Sequence, residues 1–434
     1  MINRVFRLDE HGTTASREIA AGVTTYLAMA YIAIVNPQIL ADAGMDQGAV
    51  FVATCLATAI ACAAMGLYAN YPIALAPGMG INAFFTYGVV LGMGHPWQTA
   101  LGALFISGVC FVLISVLPIR TWIINAFPRS LKLATAAGIG FFLEIIAIIA
   151  MRNAGIVVGD ETTLVSLGDV SSWSVVLAVV GLILIAALDA LKKTGAILIG
   201  MLAVTAAGLL VGEVNWQGTV SAVPSLAPTF LQLDIGAAFD MVFFGVIFAF
   251  LFTDLFDTSG TLIAVARQGE LLDDEGNLPR LKQAVIVDSG ASMLGSLLGT
   301  SSVTSYVESA AGVKAGGRTG LSAVTVAVLF LLTLFLSPLA ATIPPFATAA
   351  ALLFVACVMI RNMTGIDWDD ATEYVPAVVL AMTIPFSFSI ANGIAAGFIT
   401  YAAIKLVSGR FRQLKPAVGT LAVLFVAKIA FLGA

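Results

Sequence analysis

The chain has 434 residues, of which 60% are apolar and 10% charged, with a mean hydropathy of +1.02 and a formal net charge of −5. Its 45 charges, 20 Lys and Arg plus 25 Asp and Glu, cannot cover a soluble surface, so a water-soluble enzyme, a nucleic-acid binder and a disordered chain are excluded. About 260 apolar residues at ~20 per crossing supply roughly 13 transmembrane helices, and the long unbroken runs favour helices over the short alternating strands of a barrel.

In chain order, a polar stretch at 1–18 lacks the apolar core of a cleavable signal peptide. Seven apolar runs follow at 19–41, 48–69, 72–93, 97–117, 133–151, 172–191 and 195–213. An acidic, Trp-containing outer loop is expected at 214–237. Seven more runs lie at 238–265, 283–299, 301–313, 319–337, 346–361, 374–389 and 391–408. If Arg4, Arg7 and Arg17 are cytoplasmic, alternation puts Arg120, Arg129, Lys132, Lys192, Lys193, Arg267, Arg280, Lys282, Lys314 and Arg318 on the same side. Arg361, Lys405, Arg410, Arg412 and Lys415 join them, and only Arg152 falls outside with the segment 159–169. The expected protein is therefore an all-α polytopic membrane protein with fourteen crossings and a cytoplasmic N-terminus.

Seven crossings that begin inside end outside, so a second set of seven must be inverted, and inverted repeats point to a transporter. The expected divisions are repeat 1 at 19–213, repeat 2 at 238–408 and a tail at 409–434, in which 417–433 reads as an interfacial or re-entrant segment rather than a fifteenth crossing. Cys55, Cys62, Cys110 and Cys357 form no CxxC pair and read as small core residues, while His11 and His95 are too far apart for a zinc site. No metal or cofactor is expected.

Two runs make poor helices, and both stand third in their half. In Tyr71-Pro-Ile-Ala-Leu-Ala-Pro-Gly-Met-Gly-Ile-Asn-Ala-Phe-Phe, Pro72, Pro77, Gly78 and Gly80 deny a continuous ladder. In Gly299-Thr-Ser-Ser-Val-Thr-Ser-Tyr-Val-Glu-Ser-Ala-Ala-Gly, hydroxyls compete for backbone bonds between two glycines. Non-helical backbone at membrane depth survives only where it is buried or lines a cavity. Asn82 and Glu308 are 226 residues apart (308 − 82), and the first runs of the halves differ by 219 (238 − 19), so the two breaks read as symmetry mates framing a binding site.

Four acids stand out within the apolar runs: Glu144, Asp254, Asp257 and Glu308. Each costs on the order of 2.5–3.5 kcal/mol to insert, which makes it a functional candidate. Asp254 and Asp257 stand three apart with no intramembrane base nearby, so desolvation poises them to take up and release a proton. Glu308 sits in the second break, either facing a ligand beside a half-helix N-terminus or capping that helix. Asn82, whose amide both donates and accepts, is flanked by Phe84 and Phe85. Carboxylates, an amide and aromatic faces suit a flat heterocycle with N–H and carbonyl edges.

At these same positions the chain resembles the AzgA-like adenine/guanine/hypoxanthine permeases of the nucleobase/ascorbate transporter superfamily. Gly78-Met-Gly-Ile-Asn-Ala-Phe-Phe, Asp254-Leu-Phe-Asp-Thr-Ser-Gly-Thr-Leu and Val307-Glu-Ser-Ala-Ala-Gly-Val-Lys-Ala-Gly-Gly-Arg-Thr-Gly-Leu carry the likeness. Thr25-Tyr-Leu-Ala-Met-Ala-Tyr-Ile-Ala-Ile-Val-Asn-Pro resembles that group's first helix. The resemblance implies an inverted seven-plus-seven fold with extended breaks in helices 3 and 10. It also implies a core domain at about 19–117 and 238–337 and a gate domain at about 133–213 and 346–408. It implies a purine permease driven by proton symport, with Asp257, Glu308, Asn82, Phe84, Thr258 and Ser309 at the base and Glu308, Asp257 or Asp254 carrying the proton. The expected partners are a purine base, a proton in preference to sodium, the bilayer of a cell membrane and a second copy in a homodimer, with no nucleic acid. The rivals are a sulfate- or bicarbonate-type anion carrier of similar fold, a pyrimidine or xanthine permease, a channel and an intramembrane enzyme. The enzyme is disfavoured by the absence of HExxH and of His or Cys near the acids.

Overall fold

A computed structural model describes residues 2–117, 128–153, 156–160, 164–273 and 278–432. Arg120, residues 161–163 and residue 433 lie outside it, as do the side chains of Arg152 and Lys428.

The first helix, α1 (Ala15–Met29), starts at Thr14, whose hydroxyl accepts from Arg17 N, and continues past a bend at Ala30 and Tyr31 into α2 (Ile32–Asp42). This start lies ahead of the expected 19 because Glu18, polar in sequence, is fully buried. It accepts from the backbone of Arg318 and Thr319 and from the Ser322 hydroxyl. Helix α3 (Gln47–Ala64) is capped by Asp46 and runs through a π-helical turn, Met65–Ala69, to Asn70. The chain then becomes extended in β1 (Leu75–Pro77), as Pro72 and Pro77 require, and resumes as α4 (Met79–Ala83) and a π-helical stretch, Phe84–Gly92. Helices α5 (Trp97–Val116) and α6 (Arg129–Asn153), an antiparallel hairpin of β2 (Val157–Asp160) and β3 (Leu164–Leu167), α7 (Trp173–Ala190) and α8 (Ala196–Leu210) complete the first half.

The second half repeats that order. It comprises α9 (Met241–Gln268), α10 (Leu281–Leu298), the strand β4 (Val303–Ser305) with α11 (Ser309–Lys314), α12 (Gly320–Thr333), α13 (Pro345–Ile360), α14 (Ala371–Ser387) and α15 (Ile390–Val407). A last helix, α16 (Pro416–Leu432), lies against α15, with Phe425 packed on Phe398 and Phe248. Among the described residues nine helices are long and apolar enough to cross a membrane, and four shorter apolar helices accompany them.

The two strands pair with each other: Leu75 lies opposite Ser305, Ala76 opposite Thr304 and Pro77 opposite Val303, antiparallel. An antiparallel pair between equivalent segments is what a two-fold axis in the membrane plane produces, so the halves form an inverted repeat. Gly78 N donates to Ser302 O and Tyr306 N to Ala74 O, both at 2.9 Å, which satisfies the backbone freed at both breaks.

Around this centre the helices form two packed groups. In one, α12 lies against α1 and α3, and α5 against α9 and α10; in the other, α6 lies against α13 and α14, with α15 on α14 and α7 between α8 and α13. Small residues set the close crossings: a Cβ on Gly320 would collide with the backbone of Gly66. Of the four cysteines, Cys55 and Cys62 are buried as core residues, whereas Cys357 faces outward from α13.

Candidate functional site

The second break is tied to three helices by three consecutive hydroxyls. Gly299 ends α10 in a left-handed conformation (φ +88°), where glycine is at ease and where a Cβ would strike Thr229. Thr300 then accepts from Asn36 Nδ2 of α2 at 2.8 Å, Ser301 donates to Asn82 Oδ1 of α4, and Ser302 donates to Asp254 Oδ2 of α9 at 2.5 Å. Ser292 of α10 donates to the same Asp254 oxygen at 2.6 Å. These hydroxyls break the helix by bonding across to other elements rather than to their own backbone.

The strands are locked from both sides. The Tyr306 hydroxyl donates to Pro77 O at 2.6 Å, and Ala74 N donates to Ser309 Oγ at 3.0 Å. Ser309 thus faces the first break's backbone. Glu308 stands at the head of α11 but does not cap it; its Oε1 accepts from the Tyr31 hydroxyl at 2.8 Å, at the bend between α1 and α2.

Asp254 and Asp257 are three residues apart on α9, yet they meet different surroundings. Asp254 is 2% exposed, its Oδ2 held by Ser292 and Ser302 and its Oδ1 unpartnered. Asp257 is exposed, on the open face that also carries Gly260. Glu308 is half-buried and within electrostatic reach of Asp257. Thr258 points the other way, fully buried, donating to Asp288 Oδ1 at 2.5 Å and lying 3.1 Å from the Thr304 hydroxyl. Asn82 is buried with its Nδ2 unpartnered, and Phe84 is buried edge-on to Phe250 with centroids 5.3 Å apart. Glu144 lies half-buried in α6 and takes no part in this network.

Of the expected residues, Asp257 and Glu308 present open carboxylates. Asn82, with its free amide N–H, and Phe84 form a buried wall, while Thr258 and Ser309 support the strands from behind. An unpaired buried amide or carboxylate oxygen costs about 1–3 kcal/mol, so Asn82 Nδ2 and Asp254 Oδ1 are hydrogen-bonding positions left for a polar guest or water.

The acid that sequence reasoning passed over is Asp288 of α10, fully buried. It accepts from Thr258 Oγ1 at 2.5 Å and, through Oδ2, from Ser305 N at 2.8 Å and Ser305 Oγ at 2.5 Å, which joins α9, α10 and β4. Its signal was legible: Asp288 sits inside the run 283–299 at the head of a stripe of Ser289, Ser292 and Ser296. Tyr31 was the other omission, since a tyrosine in an apolar run carries no sign of its partner.

A model of the Permease family matches residues 16–396. Adenine permease AdeP of Escherichia coli (strain K12) is 48% identical over 434 residues, covering 100% of this chain and 97% of that protein. Guanine/hypoxanthine permease PbuG of Bacillus subtilis (strain 168) is 44% identical over 439 residues, covering 98% of this chain and 99% of that protein. Among solved structures, the transmembrane domain of a cyanobacterial bicarbonate transporter, BicA, superposes with a TM-score of 0.64 at 16% identity, over 88% of this chain and 96% of that one. The murine anion transporter Slc26a9 in its inward-facing state gives 0.65 at 11% identity, over 90% and 68%. The two likenesses establish the inverted-repeat fold.

Proposed function

This chain belongs to the Permease family, and from that premise we propose that it imports purine nucleobases across a cell membrane by proton-coupled alternating access. The observation that carries the reading is the placement of Asp257 and Glu308, two open carboxylates beside the crossing of the paired breaks. Relatives of matched length that are named for adenine and for guanine/hypoxanthine support the substrate class.

In this reading the base's N–H edge donates to Asp257 and Glu308, and Asn82 completes the polar contact from the opposite break. Carboxylates are acceptors when ionised and donors when protonated, so the proton on one of them decides how the base is held. That dependence is the coupling: proton and base bind together and leave together. Tyr31 and Asp288 position the site, the first through Glu308 and the second through β4. The group containing α1, α3, α5, α9, α10 and α12 is the core, which moves against the group of α6–α8 and α13–α15 as the gate. Arg17, Arg267, Arg280, Lys314 and Arg318 mark the cytoplasmic side.

Cells expressing the chain are expected to accumulate radiolabelled adenine, guanine or hypoxanthine saturably, without competition from sulfate or bicarbonate. Failure of all three bases to accumulate refutes the reading. An enzyme would instead convert the base, so recovery of unmodified label inside the cells is part of the test.

A further inference from the structure

A polar cleft lies between the two helix groups, at the opposite end of the Ala15–Asp42 span from Arg17. Its volume is about 330 Å³, within the range of about 300–1,000 Å³ of small-molecule sites. One wall comes from the end of α2 and its neighbours, with Gln38, Asp42, Gln47 and Tyr87; the other comes from Ile343 and from Thr348 of α13. Helix α2 packs on α3 of the first group and α13 on α6 of the second, so the walls belong to the two groups that alternating access would move apart.

The cleft carries recognition chemistry of its own. Asp42 is exposed, and its Oδ2 accepts from the Tyr87 hydroxyl at 2.5 Å, which leaves Oδ1 open. No basic side chain pairs with it among the described residues. Gln38 Nε2 reaches across the cleft to Ile343 O at 3.1 Å, and its amide oxygen remains available. The Gln47 side chain, exposed at the rim, has no hydrogen-bond partner among the described residues. None of these residues belongs to the network around Asp254, Asp257, Asp288 and Glu308.

We propose that this cleft is an outer capture site for the transported base, which donates N–H groups to Asp42 Oδ1 and to the Gln38 amide oxygen and accepts from the Gln47 amide N–H before moving inward. The inference rests on the purine reading above. Carboxylate, two amides and apolar walls match a flat, neutral heterocycle with mixed edges and suit an inorganic anion poorly, because Asp42 would repel it. Since the walls sit on separate groups, a base bound here is released inward only when the groups shift.

The test uses a chain in which Cys55, Cys62, Cys110 and Cys357 are replaced and Gln47→Cys introduces one thiol, labelled in intact cells by a membrane-impermeant maleimide, with adenine as the probe. Labelling is expected, with adenine slowing it severalfold. Adding Glu308→Gln, which disables the central site, leaves the protection in place, whereas adding Asp42→Asn weakens it about tenfold in adenine concentration, the loss expected of one charge-assisted hydrogen bond. The capture site is refuted if the thiol is not labelled from outside, if adenine gives no protection while uptake proceeds, or if protection vanishes with Glu308→Gln. Absence of uptake of every purine by the unmodified chain fails the purine reading instead, so the two failures are told apart.

Discussion

Asp288 offers the sharpest link between a buried group and the architecture of the site. It receives three hydrogen bonds, from Thr258 Oγ1, Ser305 N and Ser305 Oγ, and through them fixes β4 against α9 and α10. A hydrogen bond to a charged acceptor contributes about 1.5–3 kcal/mol and a neutral one about 0.5–1.5 kcal/mol. Asp288→Asn can keep its oxygen toward the backbone N–H of Ser305 and present its NH2 to Thr258, whose hydroxyl can turn toward Thr304. Three bonds weakened by about 1 kcal/mol each total about 3 kcal/mol. Asp288→Ala removes every acceptor, leaves a buried N–H that cannot rotate away and opens a small cavity, for about 5 kcal/mol. Thermal unfolding of the purified protein in detergent should rank wild type above Asn above Ala, with purine binding weakened in the same order. An Ala variant that melts with the wild type and binds purine equally would refute the role assigned to Asp288.

Other consequences are as direct. Tyr31→Phe keeps the ring but leaves Glu308 without its donor, and the KM for purine uptake should rise about tenfold, equivalent to about 1.4 kcal/mol; an unchanged KM would detach Tyr31 from the site. Lys405, 1% exposed, pairs with Glu373 at 2.8 Å. Lys405→Met should destabilise by about 3 kcal/mol, and Lys405→Met with Glu373→Gln should restore most of the loss in an unfolding assay. Gly320→Ala forces α12 off Gly66, while Gly290→Ala meets nothing within 4 Å. Detergent-solubilised, monodisperse protein should therefore be lost for the first and retained for the second.

Both breaks were legible because proline, glycine and hydroxyl clusters interrupt apolar runs locally, and their similar spacing from the start of each half exposed the repeat. Asp257 and Glu308 were legible for the same reason, as charges with no neighbouring base. What sequence could not give were partners separated by long stretches of chain. Glu18 looks like solvent-facing polarity until Ser322 and Thr319 come to meet it. Ser309 and Thr258 read as contacts for a base, yet their hydroxyls serve Ala74 and Asp288. Asp254 and Asp257 share a spacing of three and read as a pair, but the helix turns one toward Ser292 and Ser302 and the other to open space. A spacing fixes only the angle between side chains, whereas the neighbours that bury one of them come from elsewhere in the fold.

In the proposed mechanism the carboxylates at the paired breaks couple a proton to a purine. Purified protein in proteoliposomes with an imposed inward proton gradient, given radiolabelled adenine, guanine and hypoxanthine in turn, measures it directly. The account predicts uphill accumulation that collapses with a protonophore and is lost in Glu308→Gln. Accumulation that needs a sodium gradient instead, or that persists uphill in Glu308→Gln, would contradict it.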